Sequence, residues 1–396
     1  MLEGLKVVEL ATYIAAPGAG AVLSDWGAEV IKVESPAGDP SRQFLSDAPG
    51  AGNPMFAVDN RGKRAIALDY GKPEGREALV RLIAGADIFL TNVRPGALKR
   101  ARLDYESLRA DNPKLIYAIV TGYGLQGADA DRPGFDVAAF WSRGGVGAIT
   151  RPKGVEPFPI RTGMGDHVCS LATTSAILAA VVERSRTGLG RLVETSLLRA
   201  GVYSIGSDTA VQLHYGKLAS TKSRHQALNP IANFFRTGDD RWVCLVPRAG
   251  AQGDFPSVCR AVERPDLLDD PRFAKSRDRR QNAADLVTAL DEAFARFTFA
   301  EIAPRLDAED LVWSPLQTPG EVVADPQAQA AGCFVDVPDG AGGSFRSTAG
   351  PARFPGADDG PKGPPPTLGQ HTDAILAELG YAPSDIVALR AAGAAV

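Results

Sequence analysis

One aspartate in the middle of the chain stands where its carboxylate can act as a nucleophile. Asp166 follows Gly163-Met164-Gly165 and opens a run of small and apolar residues whose spacing predicts a helix over 166–186. Asp166 is therefore a candidate N-cap, which would hydrogen-bond a first-turn N–H group. The same N–H groups carry positive partial charge and would stabilise an oxyanion formed when the carboxylate attacks an activated carbonyl. The pattern leaves both roles open.

The neighbours of this aspartate bear on the choice between the two roles. Gly163 and Gly165 have no side chains, so they are expected to leave the space beside the carboxylate open to a ligand. His167 is a candidate general base, although a histidine here also fits a position on the helix face.

A basic segment further upstream can bind phosphate. In "NVRPGALKR" (92–100) a Pro-Gly pair predicts a turn directly after a strand, with Arg94, Lys99 and Arg100 around it. Cations and free N–H groups at a strand end suit a phosphorylated ligand, but charged turns are also common on solvated surfaces. The segment 60–75 carries a similar set of basic residues, with the same two interpretations.

The elements that must position these residues alternate between strand and helix periods. The predicted strands span 6–10, 29–34, 87–92, 115–124 and 191–198, and the predicted helices of this part span 18–27, 75–86 and 166–186. This βαβ order favours an α/β fold with a mostly parallel sheet, helices on both faces and ligands at the carboxyl ends of the strands. The segment "GAGAVL" (18–23) resembles a dinucleotide-binding glycine pattern, but Leu23 occupies the position of the third glycine. Its small residues therefore predict close packing of a helix on the sheet.

The second half of the chain has a different pattern of apolar, glycine and proline residues. A hairpin is predicted over 233–247, and helical patterns follow it. Gly and Pro dominate 338–366, which is expected not to pack as a regular element. The predicted layout is a large domain over 1–200 completed by 330–396, a small α/β domain over 225–325, and linkers over 201–224 and 326–366.

Composition and motif spacing exclude several classes of protein. The 396 residues carry a formal net charge of −4 without a basic stripe, so no nucleic-acid partner is expected. The start lacks the order of a signal peptide, and the apolar tract 171–182 is short for a membrane span, so we expect a cytoplasmic protein without a membrane partner. The four cysteines and four histidines lack metal-binding spacing, so no metal is expected. Neither GxxxxGK[ST] nor GxSxG occurs.

Several segments together resemble the family III CoA-transferases, the group that includes formyl-CoA transferase and carnitine CoA-transferase. They follow the family's order over almost the whole chain. The matching segments are "GLKVVELATYIAAPGAGAVLSDWGAEVIKVESPAGDPSR", "NRGKRAIALD", "DIFLTNVRPGAL", "NPKLIYAIVTGYG", "RPGFD", "GDHVCSLATTSAILAAVVERSRTGLGRLVETSL" and "LGQHTDAILAELGY".

The resemblance implies a large Rossmann-like domain with a smaller α/β domain inserted, and two chains interlocked as a homodimer. It implies that CoA enters as acyl-CoA, that small carboxylic acids are the other substrates, and that Asp166 is the catalytic residue. Mixed anhydrides and an aspartyl-CoA thioester would be the intermediates. The family's CoA-contacting positions fall on Tyr13, Ile14, Arg42, Leu68, Asn92, Val93, Arg100, Gly122, Arg132, Phe135 and Asp136.

Two other functions share parts of this pattern. The α-methylacyl-CoA racemases have the same fold and also carry the aspartate, but they use a His-Asp pair where this chain has Phe135-Asp136. Without an imidazole, a proton cannot be moved on and off the α-carbon from two sides, so the transferase is favoured. The second alternative is a non-catalytic CoA-binding protein, which the intact Gly165-Asp166 pair disfavours.

The exchanged acids are not specified by the sequence. Formyl-CoA transferase shields its reactive centre with a glycine-rich loop that corresponds here to "PRAGAQGD" (247–254), which has fewer glycines. Tyr13, Phe135, Phe140 and Trp141 predict an apolar lining that suits a short-chain or hydrophobic acyl group.

Overall fold

The computed structural model describes residues 1–44, 53–248 and 253–396. The described chain divides into two compact units. The large unit comprises Met1–Ala148, Phe158–Leu218 and Gln329–Val396, and the small unit comprises Ile149–Pro157 and Ala219–Ala328. Each unit is described by itself below.

The large unit is built on a six-stranded sheet in which every pairing is parallel. Its strands are β1 (Lys6–Leu10), β2 (Glu29–Glu34), β3 (Arg64–Ala67), β4 (Ile88–Thr91), β5 (Ile116–Thr121) and β6 (Leu192–Ser196). They lie in the order β3-β2-β1-β4-β5-β6, so the direction of strand succession reverses between β1 and β4. A ligand cleft is expected at such a reversal, beyond the carboxyl ends of the two strands.

The described helices alternate with the strands in the first half of the chain and dominate the second half. They are α1 (Ala15–Asp25), α2 (Pro54–Asn60), α3 (Pro73–Ala84), α4 (Pro95–Ala101), α5 (Tyr105–Arg109), α6 (Val146–Ile149), α7 (Met164–Thr187), α8 (Leu197–Ser204), α9 (Gly206–Tyr215), α10 (Phe255–Ala261), α11 (Asp266–Asp269), α12 (Ser276–Gln281), α13 (Ala283–Phe294), α14 (Phe299–Ala308), α15 (Pro319–Ala324), α16 (Pro326–Ala330), α17 (Thr372–Glu378) and α18 (Pro383–Ala391). A π-helical segment spans Val137–Arg143, and short 3₁₀ segments span Pro40–Gln43 and Arg224–Gln226.

Both faces of the sheet are covered, which explains why its strands are nearly continuous apolar runs. Successive residues of a strand point to opposite faces, so Val7 and Val8 of β1 belong to different cores. Val8 packs with side chains of α3, α17 and α18. Val7 packs with side chains of α1, α7 and the π-helical segment. The α/β class and the parallel sheet agree with the sequence prediction.

Close contact between α1 and α7 fixes the start of both helices. A side chain at Gly18 would overlap Ser170 on α7, so only glycine allows this approach. Ser170 Oγ donates a hydrogen bond of 2.7 Å to the Ala15 carbonyl in the first turn of α1. The prediction that the small residues of 18–23 serve packing is therefore confirmed.

Helix α7 is long and apolar enough to cross a membrane by length and composition alone. Central helices of folded domains meet the same criterion, and α7 packs against α1, β5 and β6.

The edge of the sheet at β3 is completed by residues from the end of the chain. Leu68 pairs with Ala395 in an isolated bridge. The Val396 N–H donates to the Ala67 carbonyl at 3.2 Å, and the Asp69 N–H donates to the Ala394 carbonyl at 2.9 Å. β3 itself lies inside the basic segment 60–75, which had not been predicted as a strand because only four residues are extended.

The predicted linkers differ from the structure. Helix α9 lies within 201–224, and strands β10 (Phe334–Pro338) and β11 (Ser344–Thr348) form an antiparallel pair within 326–366. Glycines do not prevent this pair, because Asp339 Oδ1 accepts hydrogen bonds from Ala341 and Gly343 N–H groups and stabilises the turn.

The small unit contains the predicted hairpin. Strands β7 (Phe234–Arg236) and β8 (Trp242–Leu245) are antiparallel, and β9 (Trp313–Pro315) extends the sheet beside β8. Phe235 stacks on Phe294 of α13 with ring centroids 4.8 Å apart.

Candidate active site

A cavity of about 370 Å³ opens at the carboxyl ends of β1, β4 and β5, at the reversal point of the sheet. Asp166 enters it from the first turn of α7. The lining residues are Thr12, Tyr13, Ala15, Asn92, Val93, Arg94, Pro95, Ala97, Val120, Thr121, Gly122, Ala130, Arg132, Pro133, Gly134, Phe135, Asp166 and Leu197. All of them belong to the large unit.

Asp166 is not the N-cap of its helix. Helix α7 begins at Met164, and its N-cap is Gly163, which makes no side-chain cap hydrogen bond. The N-cap alternative for Asp166 is therefore wrong, because the helix starts two residues earlier than predicted. The carboxylate is 9% exposed and lines the cavity from the third position of the helix.

A second buried carboxylate fixes the start of α7. Asp136 is 1% exposed, and its Oδ2 accepts a hydrogen bond of 2.6 Å from the Gly163 N–H group. Gly163 has φ = 104°, in the left-handed region that glycine tolerates. This bond from another segment replaces the cap that a Ser, Thr or Asp side chain ordinarily supplies.

Gly165 serves close packing, contrary to the expectation that it leaves open space for a ligand, whereas a side-chain carbon at Gly163 would meet only Ile14 at 3.7 Å. A side-chain carbon at Gly165 would overlap both Asp136 and the Phe140 ring. Gly165 is therefore required for close packing, and Phe140 lies beneath it in the core. Trp141 also belongs to that core, so neither ring joins the cavity lining that the sequence predicted for them.

Burial and nearby negative charge raise the pKa of Asp166. Desolvation is the larger cause, repulsion by Asp136 adds to it, and attraction by His167 opposes it. Together they raise the pKa of Asp166 from 3.8 to about 7. Burial likewise raises the pKa of Asp136, against the hydrogen bonds that it accepts from backbone N–H groups. At neutral pH the Asp166 carboxylate is therefore partly protonated and weakly solvated, and strongly perturbed groups of this kind are concentrated at functional sites.

His167 is not among the residues that line the cavity, and it is held by another carboxylate. Its Nε2 lies 3.1 Å from Oδ1 of buried Asp59, and its side chain is 51% exposed. The hydrogen bond to Asp59 raises the pKa of His167, so the imidazole is held in its charged form at a higher pH than usual. When charged, the imidazole attracts the Asp166 carboxylate and opposes the rise in its pKa.

The loop after β1 is held by an amide side chain from the loop after β4. Asn92 Oδ1 accepts a hydrogen bond from the Thr12 N–H group at 3.0 Å, and its Nδ2 donates to the Thr12 carbonyl at 2.7 Å. The Asn92 side-chain amide therefore uses both its oxygen and its nitrogen to hold Thr12 in the wall of the cavity.

Seven of the twelve predicted site residues line this cavity, and these are Tyr13, Asn92, Val93, Gly122, Arg132, Phe135 and Asp166. Among the others, Asp136 is buried directly behind Gly163 and Gly165, and Ile14 is the buried N-cap residue of α1. Arg94 was recognised as part of the basic turn, and the structure places it in the lining.

The remaining predicted contacts lie away from the cavity lining. Arg42 forms a charged hydrogen-bond pair with Glu34, with NH2 2.6 Å and Nε 2.7 Å from its carboxylate oxygens, and its NH1 donates to the Pro366 carbonyl. Leu68 is fully buried in the core. Arg100 lies exposed in the last turn of α4, because the predicted basic turn continues as a helix.

The loop predicted to shield the centre, 247–254, is described only in part, since 249–252 lie outside the described residues. Arg248 forms ion pairs with Asp254 at 3.0 Å and with Asp310 at 2.7 Å inside the small unit.

Comparison with known proteins assigns the chain and its fold to a family. The chain matches the sequence profile of CoA-transferase family III over residues 2–372. It is 34% identical to (R)-2-hydroxy-4-methylpentanoate CoA-transferase of Clostridioides difficile over 96% of each chain. It is 33% identical to cinnamoyl-CoA:phenyllactate CoA-transferase of Clostridium sporogenes over 98% of this chain and 95% of that one. The crystal structure of a CAIB/BAIF family protein from Brucella suis matches with a TM-score of 0.85 at 33% identity, covering 96% of this chain and 99% of that chain.

These matches define an enzyme that transfers CoA between carboxylic acids. The chain belongs to CoA-transferase family III, and it is an acyl-CoA:carboxylate CoA-transferase by type, with acyl-CoA as the substrate class. The comparisons do not favour the racemase alternative.

Proposed function

We propose that Asp166 is the nucleophile of a CoA transfer that proceeds through covalent aspartyl intermediates. The observation that carries the proposal is the position of its carboxylate. Among the described residues that line the cavity, it is the only acidic side chain. A carboxylate that is buried and free of a capping role is suited to attack a carbonyl carbon.

In the first step a carboxylate oxygen of Asp166 attacks the thioester carbonyl of the donor acyl-CoA. The C–S bond breaks, CoA leaves as the thiolate, and a mixed acyl-aspartyl anhydride remains. The thiolate then attacks the aspartyl carbonyl, which releases the donor acid as its carboxylate and forms the aspartyl-CoA thioester. An acceptor carboxylate repeats these steps in reverse, so one thioester replaces another without ATP.

Local dipoles and burial support these steps. Asp166 lies in the first turn of α7, where N–H groups carry positive partial charge near the oxyanion that forms on the aspartyl carbonyl. Burial limits the access of water, which would hydrolyse an anhydride. The raised pKa leaves a weakly solvated and therefore more reactive carboxylate above pH 7.

The cations of the lining suit the phosphates of CoA. Arg94 and Arg132 lie at the outer parts of the loops that follow β4 and β5, and both side chains are exposed. An arginine forms two parallel hydrogen bonds with a phosphate group, so these residues fit the pyrophosphate. Arg100 is available to phosphate further out.

We also propose that two copies of the chain form an interlocked homodimer. Large apolar side chains are exposed on α8 and α9, with Tyr203 at 85%, Leu213 at 81% and Tyr215 at 68%. Exposed clusters of this kind mark protein–protein interfaces. Light scattering should give twice the monomer mass, and Leu213→Glu should shift it toward the mass of one chain; a monomeric wild-type protein would contradict the proposal.

Trapping of the acylated aspartate tests the mechanism. The protein would be incubated with an acyl-CoA, treated with hydroxylamine or borohydride, and digested for mass spectrometry. We expect a hydroxamate or a reduced alcohol at Asp166, and neither in Asp166→Asn. Glu183→Gln, at the exposed far end of the same helix, is the matched control and should be trapped like the wild type. A turnover-competent protein that never shows modification of Asp166 would refute the mechanism.

A further inference from the structure

The loop that joins β1 to α1 presents an aromatic side chain to the cavity in an uncommon backbone conformation. Tyr13 has φ = 65°, in the left-handed region that few residues other than glycine and asparagine adopt. Its ring meets Phe135 edge to face, with centroids 5.2 Å apart and planes at 87°. Both rings line the cavity that contains Asp166.

A buried ion pair holds this conformation. Asp39 Oδ1 accepts a hydrogen bond from the Tyr13 N–H group at 3.1 Å, and its Oδ2 accepts one from Lys32 Nζ at 2.8 Å. Lys32 Nζ also donates to the Ala11 carbonyl at 3.1 Å. Asp39 is 2% exposed and Lys32 is fully buried, and Lys32 also pairs with buried Glu9 at 3.4 Å, so these buried charges compensate one another. The pair therefore fixes the loop at Ala11 and at Tyr13.

The Asp39 carboxylate is also held by Ser41, two residues further along the chain. The Ser41 hydroxyl and N–H group donate to Asp39 Oδ1 at 2.7 and 2.9 Å. Burial by itself raises the pKa of Asp39, but attraction by Lys32 and these hydrogen bonds outweigh it, and the pKa is lowered from its usual value. The carboxylate therefore stays charged and able to accept the Tyr13 N–H bond throughout the neutral range.

The charges around Asp166 disfavour a second carboxylate on the acyl chain. Asp136 and Asp59 repel the Asp166 carboxylate and His167 attracts it, while Asp166 itself brings a negative charge into the cavity once it is deprotonated. A dicarboxylic acyl chain would add a further negative charge there. An uncharged aromatic or branched chain would instead contact the Tyr13 and Phe135 rings, which favour edge-to-face packing.

We propose that Tyr13 and Phe135 select CoA esters of acids whose chain is uncharged and aromatic or bulky, and that Asp39 is the positioning residue that holds Tyr13 for this selection. The inference rests on the proposed function, because it places the acyl group beside Asp166.

The test uses CoA thioethers, which lack the reactive carbonyl and so report binding alone. Calorimetric titration of the full chain with 3-phenylpropyl-CoA and 3-carboxypropyl-CoA should give at least tenfold tighter binding of the phenyl compound. Tyr13→Ala and Phe135→Ala should each reduce that ratio to about threefold or less. Equal binding of the two thioethers by the wild type would overturn the selection.

The role of Asp39 is tested by the same ratio. Asp39→Asn should reduce it as far as Tyr13→Ala does, and the double variant should show no further loss, because Asp39 acts through Tyr13. Asp25→Asn is the matched control, since it breaks another buried ion pair, with Arg61 at 2.7 Å. It should lower the melting temperature and keep the wild-type ratio.

The outcomes separate the two levels of the inference. A wild-type ratio in Asp39→Asn would overturn the positioning role. If that variant does not fold, Ser41→Ala removes one bond to the same carboxylate and should give a smaller loss of the ratio; an unchanged ratio there would count against the role. Failure of the folded wild type to bind CoA or either thioether would contradict the proposed function itself.

Discussion

The raised pKa of Asp166 implies that its carboxylate, once charged, destabilises the folded protein. Its pKa is 3.8 ordinarily and about 7 in the folded chain, so the native state holds the proton more tightly than the unfolded state. The stabilisation from this proton is complete below pH 4 and is lost as the pH rises through 7. The rise of the Asp166 pKa from 3.8 to about 7 corresponds to ~4 kcal/mol at pH 8 and to roughly 2 kcal/mol at pH 5.

Asp166→Asn removes the charge and keeps the shape of the side chain. We therefore expect this variant to be more stable than the wild type by on the order of 2–4 kcal/mol at pH 8, and by clearly less at pH 5. Because the chain has two units, hydrogen exchange of α7 peptides in increasing denaturant is the appropriate measurement.

Asp129→Asn is the control of opposite sign. Hydrogen bonding to Arg143 lowers the pKa of Asp129, so its charged form stabilises the protein above its unfolded pKa, and the variant should show no gain at pH 8. An Asp166→Asn variant that is destabilised equally at both pH values would refute the reasoning, since it would mean that the carboxylate is well solvated or structurally bonded.

Three further predictions concern the same site. The rate of Asp166 acylation should rise with pH, with an inflection near pH 7 that reports the pKa of Asp166. Asp136→Asn should move that inflection to lower pH, and an unmoved inflection would exclude repulsion by Asp136 as a cause of the raised pKa. Gly165→Ala should lower stability by ~1–3 kcal/mol and reduce turnover, because the added carbon overlaps buried atoms. Gly320→Ala, whose added carbon would meet only Thr318 Oγ1 at 4.0 Å, should do neither, and a thermal melt with a turnover assay compares the two variants. Arg132→Ala should weaken CoA binding by ~1–3 kcal/mol in calorimetry, with the loss shrinking as salt is added; salt-independent binding would exclude a phosphate contact.

The sequence predicted the sheet because its strands are strongly apolar and well separated by helical periods. β2 was predicted with the bounds that the structure shows, and the parallel order followed from the βαβ succession. The hairpin of β10 and β11 was missed, because its residues alternate weakly and its turn depends on Asp339.

The site was predictable only where one segment carries the signal. Asp166 stood out because glycines precede it and a long helical pattern follows it. The hydrogen bond between Gly163 and Asp136, which replaces the side-chain cap of α7, joins residues 27 positions apart and left no local pattern. Asp39 and Asp59 gave no pattern at all, since each acts on a loop or helix distant in sequence. Arg100 was placed with the basic turn because the start of α4 at Pro95 was not recognised.

The pairing of Leu68 with Ala395 has a consequence for biosynthesis. The outer edge of β3 lies within the first seventy residues and is covered by His371 and by residues 394–396, so the nascent chain keeps that edge open until those distant residues have been synthesised. Removal of residues 394–396 would expose the Ala67–Leu68 end of that edge, and an exposed strand edge is a site of aggregation. A degradation tag or fusion placed there would act on the sheet itself.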